Sequence, residues 1–190
     1  MGNFKDAARE FTNSVRFDPK DHDAWQNLGS ARRGLKQPAL AEEAYRNARN
    51  LKADDQVSWN NLGNTFLGQG KVEDAIAAFR KALELKPDDA TAHHNLAWEL
   101  LRIARRDLDL ADPEAIITAA RKAVELTKEQ NAKMLRTLVL ALGYGDEPEE
   151  AVKVAKKALK LMEQQENPDD QLKSDIERAL KRFQRAAGNQ

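Results

Sequence analysis

Trp59-Asn60-Asn61-Leu62-Gly63, followed by Phe66, the run Gly68-Gln69-Gly70, then Ala75, Phe79, Ala82 and Pro87, is the stretch whose reading decides the fold. Shifted back by 34 residues, its first block reads Trp25-Gln26-Asn27-Leu28-Gly29; shifted forward by 34, it reads His93-His94-Asn95-Leu96-Ala97. The second block recurs likewise, with Ala41, Tyr45, Ala48 and Leu51 standing 34 residues before Ala75, Phe79, Ala82 and Leu85. A fixed period of this length marks a chain of repeated supersecondary units. Within each block apolar residues return every three or four positions, as on amphipathic helices, and nothing alternates with a period of two. Gly68-Gln69-Gly70 reads as the turn inside a unit. Lys86-Pro87-Asp88-Asp89 reads as a breaker followed by carboxylates placed to cap the next helix.

Small Gly63, Ala75 and Ala82 let two antiparallel helices approach closely, and Trp59, Phe66 and Phe79 fill the space around them. A single hairpin leaves an apolar face in water, so neighbouring hairpins must stack. These residues, at this spacing, resemble the tetratricopeptide repeat family. The resemblance extends over roughly residues 3–165 plus a closing helix. It implies an all-α, right-handed superhelical solenoid of antiparallel helix pairs, about ten helices in all, whose job is to hold another polypeptide.

The repeats divide a single domain over 3–187 into an unpaired second helix at 3–19, repeats at 22–55 and 56–89, a repeat at 90–130, a divergent repeat at 131–165 and a capping helix at 169–187. The repeat at 90–130 carries seven extra residues near 105–112, since Pro113 to Leu126 matches Val72 to Leu85 at an offset of 41. Asp112-Pro113-Glu114 restarts a helix there, and Ile116 and Ala120 exchange the expected small and aromatic residues. Ala151, Ala155, Ala158 and Leu161 mark the second helix of the divergent repeat. In the closing helix Leu172, Ile176, Leu180 and Phe183 form one stripe. The extended helix and the Asp-Pro-Glu restart resemble the last repeats of bacterial arrays, which are often part of larger chains. At the start, Phe4 and Phe11 occupy second-helix positions whose partner helix is missing. Either a longer protein supplies it, or another copy covers an exposed Phe4/Phe11 face.

Lys plus Arg and Asp plus Glu both number 31, so no global field recruits nucleic acid or an acidic membrane. The absence of cysteine excludes disulfides, thiolate metal sites and a cysteine nucleophile. No apolar run is long enough to span a bilayer, and the first residues carry no signal-peptide core. A cytoplasmic chain is the default expectation. His22, His93 and His94 have no companions at ligand or triad spacing, so no metal, cofactor or catalytic residue is expected. The arginines at 102, 105 and 106 read as a solvated face, with no aromatic ladder to stack nucleic-acid bases.

The resemblance places the first helices on the concave side. Its inward positions here are Asn60 and Asn64, then His94, Trp98, Leu101 and Arg102, then Lys133, Arg136 and Tyr144. One position further on, Asn27, Asn61 and Asn95 form a row of carboxamides able to pair with a guest's backbone or to bridge neighbouring helices. Trp98 is the sharpest candidate. His93 already holds the repeat's tryptophan position, which leaves Trp98 free to anchor a guest unless the extra residues near Asp109 fold over it. The carboxylate-binding mode known in the family is matched by Asn64, Asn95 and Lys133. It is broken where Asn60 and Thr137 stand in cationic positions. The expectation is a scaffold with a groove for an unidentified peptide or protein. The alternatives are self-association through the first helix, or a non-catalytic arm of a larger protein.

Overall fold

The computed structural model describes residues 2–106 and 112–188, and among these it contains ten helices and no strand. They form two compact units, Met1–Pro87 and Asp88–Gln190. The first contains α1 (Gly2–Phe17), α2 (His22–Gly34), α3 (Pro38–Leu51), α4 (Gln56–Gly68) and α5 (Val72–Leu85), each packed on the next. The second contains α6 (Ala90–Ala104), α7 (Pro113–Leu126), α8 (Ala132–Tyr144), α9 (Pro148–Glu163) and α10 (Asp170–Ala187). Here α6 lies against α7 and α8, and α8 lies against α9 and α10.

Helix starts follow from local chemistry. Asp21, Asp55, Asp89, Asn131 and Asp169 cap α2, α4, α6, α8 and α10 by accepting from backbone N–H groups of the first turn. Asp112 does the same for α7. Each described turn inside a hairpin contains one left-handed residue at a corresponding position, Lys36, Gly70 or Asp146. The third such turn falls in the seven-residue insertion, most of which lies outside the described residues.

The interior of each hairpin of the first unit is built on a ring pressed against bare backbone. A Cβ added at Gly63 would stand 2.7 Å from Phe79 Cδ1, and one added at Gly29 would stand 2.6 Å from Tyr45 Cε1. Both rings are fully buried, as are Ala41, Ala48, Ala75 and Ala82 around them. In the second unit the ring positions carry Ala120 and Ala155, both buried, and the glycine position carries Ala97 and Val139. Ile116 is fully buried beside Ala120 in α7, as the expected exchange of small and large residues requires.

Helix α1 corrects one expectation. Its Phe11 is not on a bare face: it packs, with Ala7, Ala8 and Val15, against Ala24, Leu28 and Ala31 of α2 and Ala44 of α3. Phe4 lies over Gly34 yet remains 49% exposed, and Phe17 is 94% exposed. In α10 the buried stripe is Leu172, Ile176, Ala179 and Phe183, with Leu180 at its margin.

A polar network ties α2 to α4. Asp55, only 8% exposed, accepts from Ser58 N and Oγ, from Gln26 Nε2 and from His22 Nε2 at 3.0 Å. The other ring nitrogen of His22 faces Asp23 Oδ1 at 2.9 Å, so the imidazole donates twice. Burial works against charging His22, but the Asp23 and Asp55 carboxylates outweigh it and raise its pKa. Burial likewise opposes ionisation of Asp55, but its hydrogen bonds from Ser58, His22 and Val57 hold it below the ordinary value.

Two outcomes are expected. Gly63→Ala should destabilise the chain by about 1–3 kcal/mol in urea titrations, because the added methyl overpacks the Phe79 ring. Combining it with Phe79→Leu should cost less than the sum of the two single changes. The folded pKa of His22 is raised, so its contribution is complete below 6.5 and is lost as pH rises through the folded value. That of Asp55 is lowered, so its contribution is complete above 3.8 and is lost as pH falls through the folded value. Urea midpoints measured against pH should therefore decline on the alkaline side of 6.5, and His22→Gln should abolish that decline.

Candidate binding cleft

Helices α6, α8 and α10 lie side by side in the second unit and enclose a cleft of about 380 Å³. Trp98 and the C-cap residue Arg105 line it from the α6 side, and Arg136 and Leu140 from α8. Helix α10 contributes Asp175, Arg178, Ala179, Arg182 and Phe183. A second lobe of about 330 Å³ shares Arg105, Leu140, Arg182 and Phe183 and adds Leu101, Gly143 and Tyr144. The position of α10 is set by Phe183, whose ring lies so close to Gly143 that any side chain there would collide with it.

The charges inside are partly organised. The Arg136 guanidinium lies 4.6 Å from the centroid of the Trp98 ring, and its Nη1 donates to Asp175 Oδ2 at 2.9 Å. Arg178 donates to the same carboxylate at 2.5 Å, and the Gln171 amide does so at 2.9 Å. The Gln171 hydrogen bond, followed by Arg136 and Arg178, holds Asp175 below the ordinary aspartate value. Nearby, His94 is half-buried with its Nδ1 shut away from solvent and unbonded. Burial, then the charges of Arg136 and Lys133, lower its pKa and keep it neutral.

Of the residues anticipated from sequence, Trp98, Leu101, Arg136 and Tyr144 converge on this cleft. Arg102 lines its edge, but its Nε donates at 2.7 Å to Glu99, a carboxylate only 4% exposed. That guanidinium is thus tied to its own helix. Lys133 is exposed, and Asn95 is half-buried and engaged in an interaction of its own. Asn27, Asn60, Asn61 and Asn64 belong to the first unit. Asn27 is exposed; Asn61 donates to Gln26 Oε1 at 3.2 Å, the bridging role; and Asn64 donates to the Asn60 carbonyl at 3.1 Å. Thr137 is fully buried with its hydroxyl on the Lys133 carbonyl, so that position offers nothing to a carboxylate guest. The residues near Asp109, which the alternative reading would fold over Trp98, lie outside the described residues.

Arg105, Arg178, Arg182 and Asp175 went unassigned as site residues. Their signal was available in α10, where Asp175, Arg178 and Arg182 are spaced three and four residues apart beside the buried stripe. Only the packing of α10 on α8 distinguishes that face from an ordinary solvated one.

Two tetratricopeptide repeat family models match the chain, one over residues 1–56 and the other over residues 57–89. No curated protein matches it in sequence. Among solved structures, MamA is similar with a TM-score of 0.73 at 23% identity, covering 85% of this chain and 90% of that one. MamA from residue 41 to its end, from Desulfovibrio magneticus RS-1, aligns at 0.72 and 20% identity over 87% and 89% of the two chains. The thermophilic repeat protein TTC0263 of Thermus thermophilus aligns at 0.66 and 18% identity over 94% and 91%. Residues 1–89 thus belong to the tetratricopeptide repeat family, and the ten helices among the described residues have the all-α solenoid fold of that family, whose members are in general non-catalytic interaction modules.

Proposed function

We propose that this protein is a scaffold that holds a peptide or protein segment in the cleft between α6, α8 and α10, with Trp98 as the anchor. The observation that carries the reading is the position of Trp98. At the corresponding place the other repeats have Ser30, Asn64 and Leu140, so the ring is not part of the recurrent packing. It stands half-buried, stacked by Arg136, with Leu140 and Phe183 lining the same cleft. A large aromatic ring beside arginine in a partly dry depression is the usual makeup of a residue that dominates binding.

Selection of peptides from a random display library on the immobilised protein tests this. Selected peptides should bind Trp98→Ala more weakly by about 2 kcal/mol or more, roughly thirtyfold, with unchanged far-ultraviolet circular dichroism. Equal affinity for the variant would remove Trp98 from the site.

A second reading, self-association through α1, is favoured by the exposure of Phe4 and Phe17 on that helix. Phe11→Asp is a poor probe of it, because Phe11 supports the core of the first unit. Light scattering should show an oligomer that Phe4→Asp with Phe17→Asp dissociates. A wild-type protein that stays monomeric across the accessible concentrations would end this reading.

A further inference from the structure

Among the described residues, the charge in the cleft is unbalanced. Arg105, Arg136, Arg178 and Arg182 face it against one carboxylate, Asp175. Arg136 and Arg178 share that carboxylate, and among the described residues no carboxylate pairs with Arg105 or Arg182. Arg182 is turned over the Phe183 ring, 5.4 Å from its centroid, and both Arg105 and Arg182 are exposed. The chain as a whole has a formal net charge of zero, so this excess is local and does not belong to a generally basic surface. Between the cations lie apolar groups, Leu140, Ala179, Phe183 and the Trp98 ring.

We propose that this cleft selects an acidic polypeptide segment, whose Asp or Glu carboxylates meet Arg105 and Arg182 while a neighbouring apolar side chain rests against Trp98 and Leu140. The inference rests on the reading of the cleft as the binding site. A depression lined by one sign of charge with low-dielectric walls concentrates the field and draws in the opposite charge. Guanidinium groups present a planar fork that meets a carboxylate with two hydrogen bonds, which gives direction as well as attraction. Arg136 does not compete for the guest, since Asp175 and Trp98 already hold it; it sets the potential of the floor. A nucleic acid suits the cleft less well, because Arg136 already stacks on Trp98 and Phe183 is buried, which leaves no series of open stacking platforms.

The test uses the full chain and short fluorescein-labelled peptides of alternating Glu and Leu, alternating Lys and Leu, and alternating Ser and Leu, with a single-stranded oligonucleotide as a fourth probe. The Glu/Leu peptide should bind in fluorescence anisotropy, and its affinity should fall as salt screens the two exposed arginines. Arg105→Glu with Arg182→Glu should weaken it about tenfold or more, with an unchanged circular dichroism spectrum. If the Ser/Leu peptide binds as tightly, or the double variant binds the Glu/Leu peptide as well as wild type does, the acidic guest is overturned. Tighter binding of the Lys/Leu peptide or of the oligonucleotide overturns it too, as does failure of all four probes to bind. None of these results touches the role of Trp98 in the peptide selection, which stands or falls on its own readout.

Discussion

A ring pressed against a bare stretch of helix backbone is the constraint on which this molecule depends. In the first unit Phe79 and Tyr45 occupy the space that a side chain at Gly63 or Gly29 would need, so each hairpin has a fixed spacing between its helices. Protein interiors are dense enough that one added methyl group is felt, and exchanges that conserve volume are tolerated best. The second unit follows the same rule in reverse. Where the ring gives way to Ala120 or Ala155, the glycine position has grown to Ala97 or Val139. Volume moves from one helix to the other while the hairpin is kept.

The device recurs outside the hairpins, in one case with consequences for the site. Phe183 of α10 sits on Gly143 of α8 and brings the closing helix against α8. A helix that shields the last hairpin from water would serve with any polar outer face. This one places Asp175, Arg178 and Arg182 opposite Trp98, so the element that closes the core also forms one wall of the cleft.

The period and its glycines, alanines and rings were legible in the sequence because packing between neighbouring hairpins imposes them at every turn of the repeat. Helix starts were legible for a local reason: Asp89, Asp112 and Asp169 act within their own first turns. Trp98 stood out for breaking the period. What could not be read were contacts joining residues far apart in the chain. His22 and Asp55 show no spacing that announces a bond, and the pairing of Arg136 with Asp175 depends on how α10 docks, which the repeat does not specify. The partial burial of Phe11 escaped for a related reason. Helix α1 packs on the hairpin that follows it, a contact that its place in the repeat did not specify.

The same reasoning explains why the cleft is not copied along the chain. Its α6 and α8 walls use repeat positions that read Ser30, Asn64, Trp98 and Leu140 in turn, so the apolar floor exists only where the last two stand. Its third wall is α10, which lies outside the repeat register. Within it the cations differ in freedom. Arg136 is held by Asp175 and the Trp98 ring, whereas the Arg178 side chain is 68% exposed and Arg182 is exposed as well. A fixed guanidinium loses little conformational entropy when a guest arrives, while long exposed side chains lose more for each contact they make. The fixed part, the Trp98–Arg136 stack and its apolar surroundings, therefore sets where a guest's apolar side chain rests, while the outer arginines set the preference for acidic residues and the response to salt.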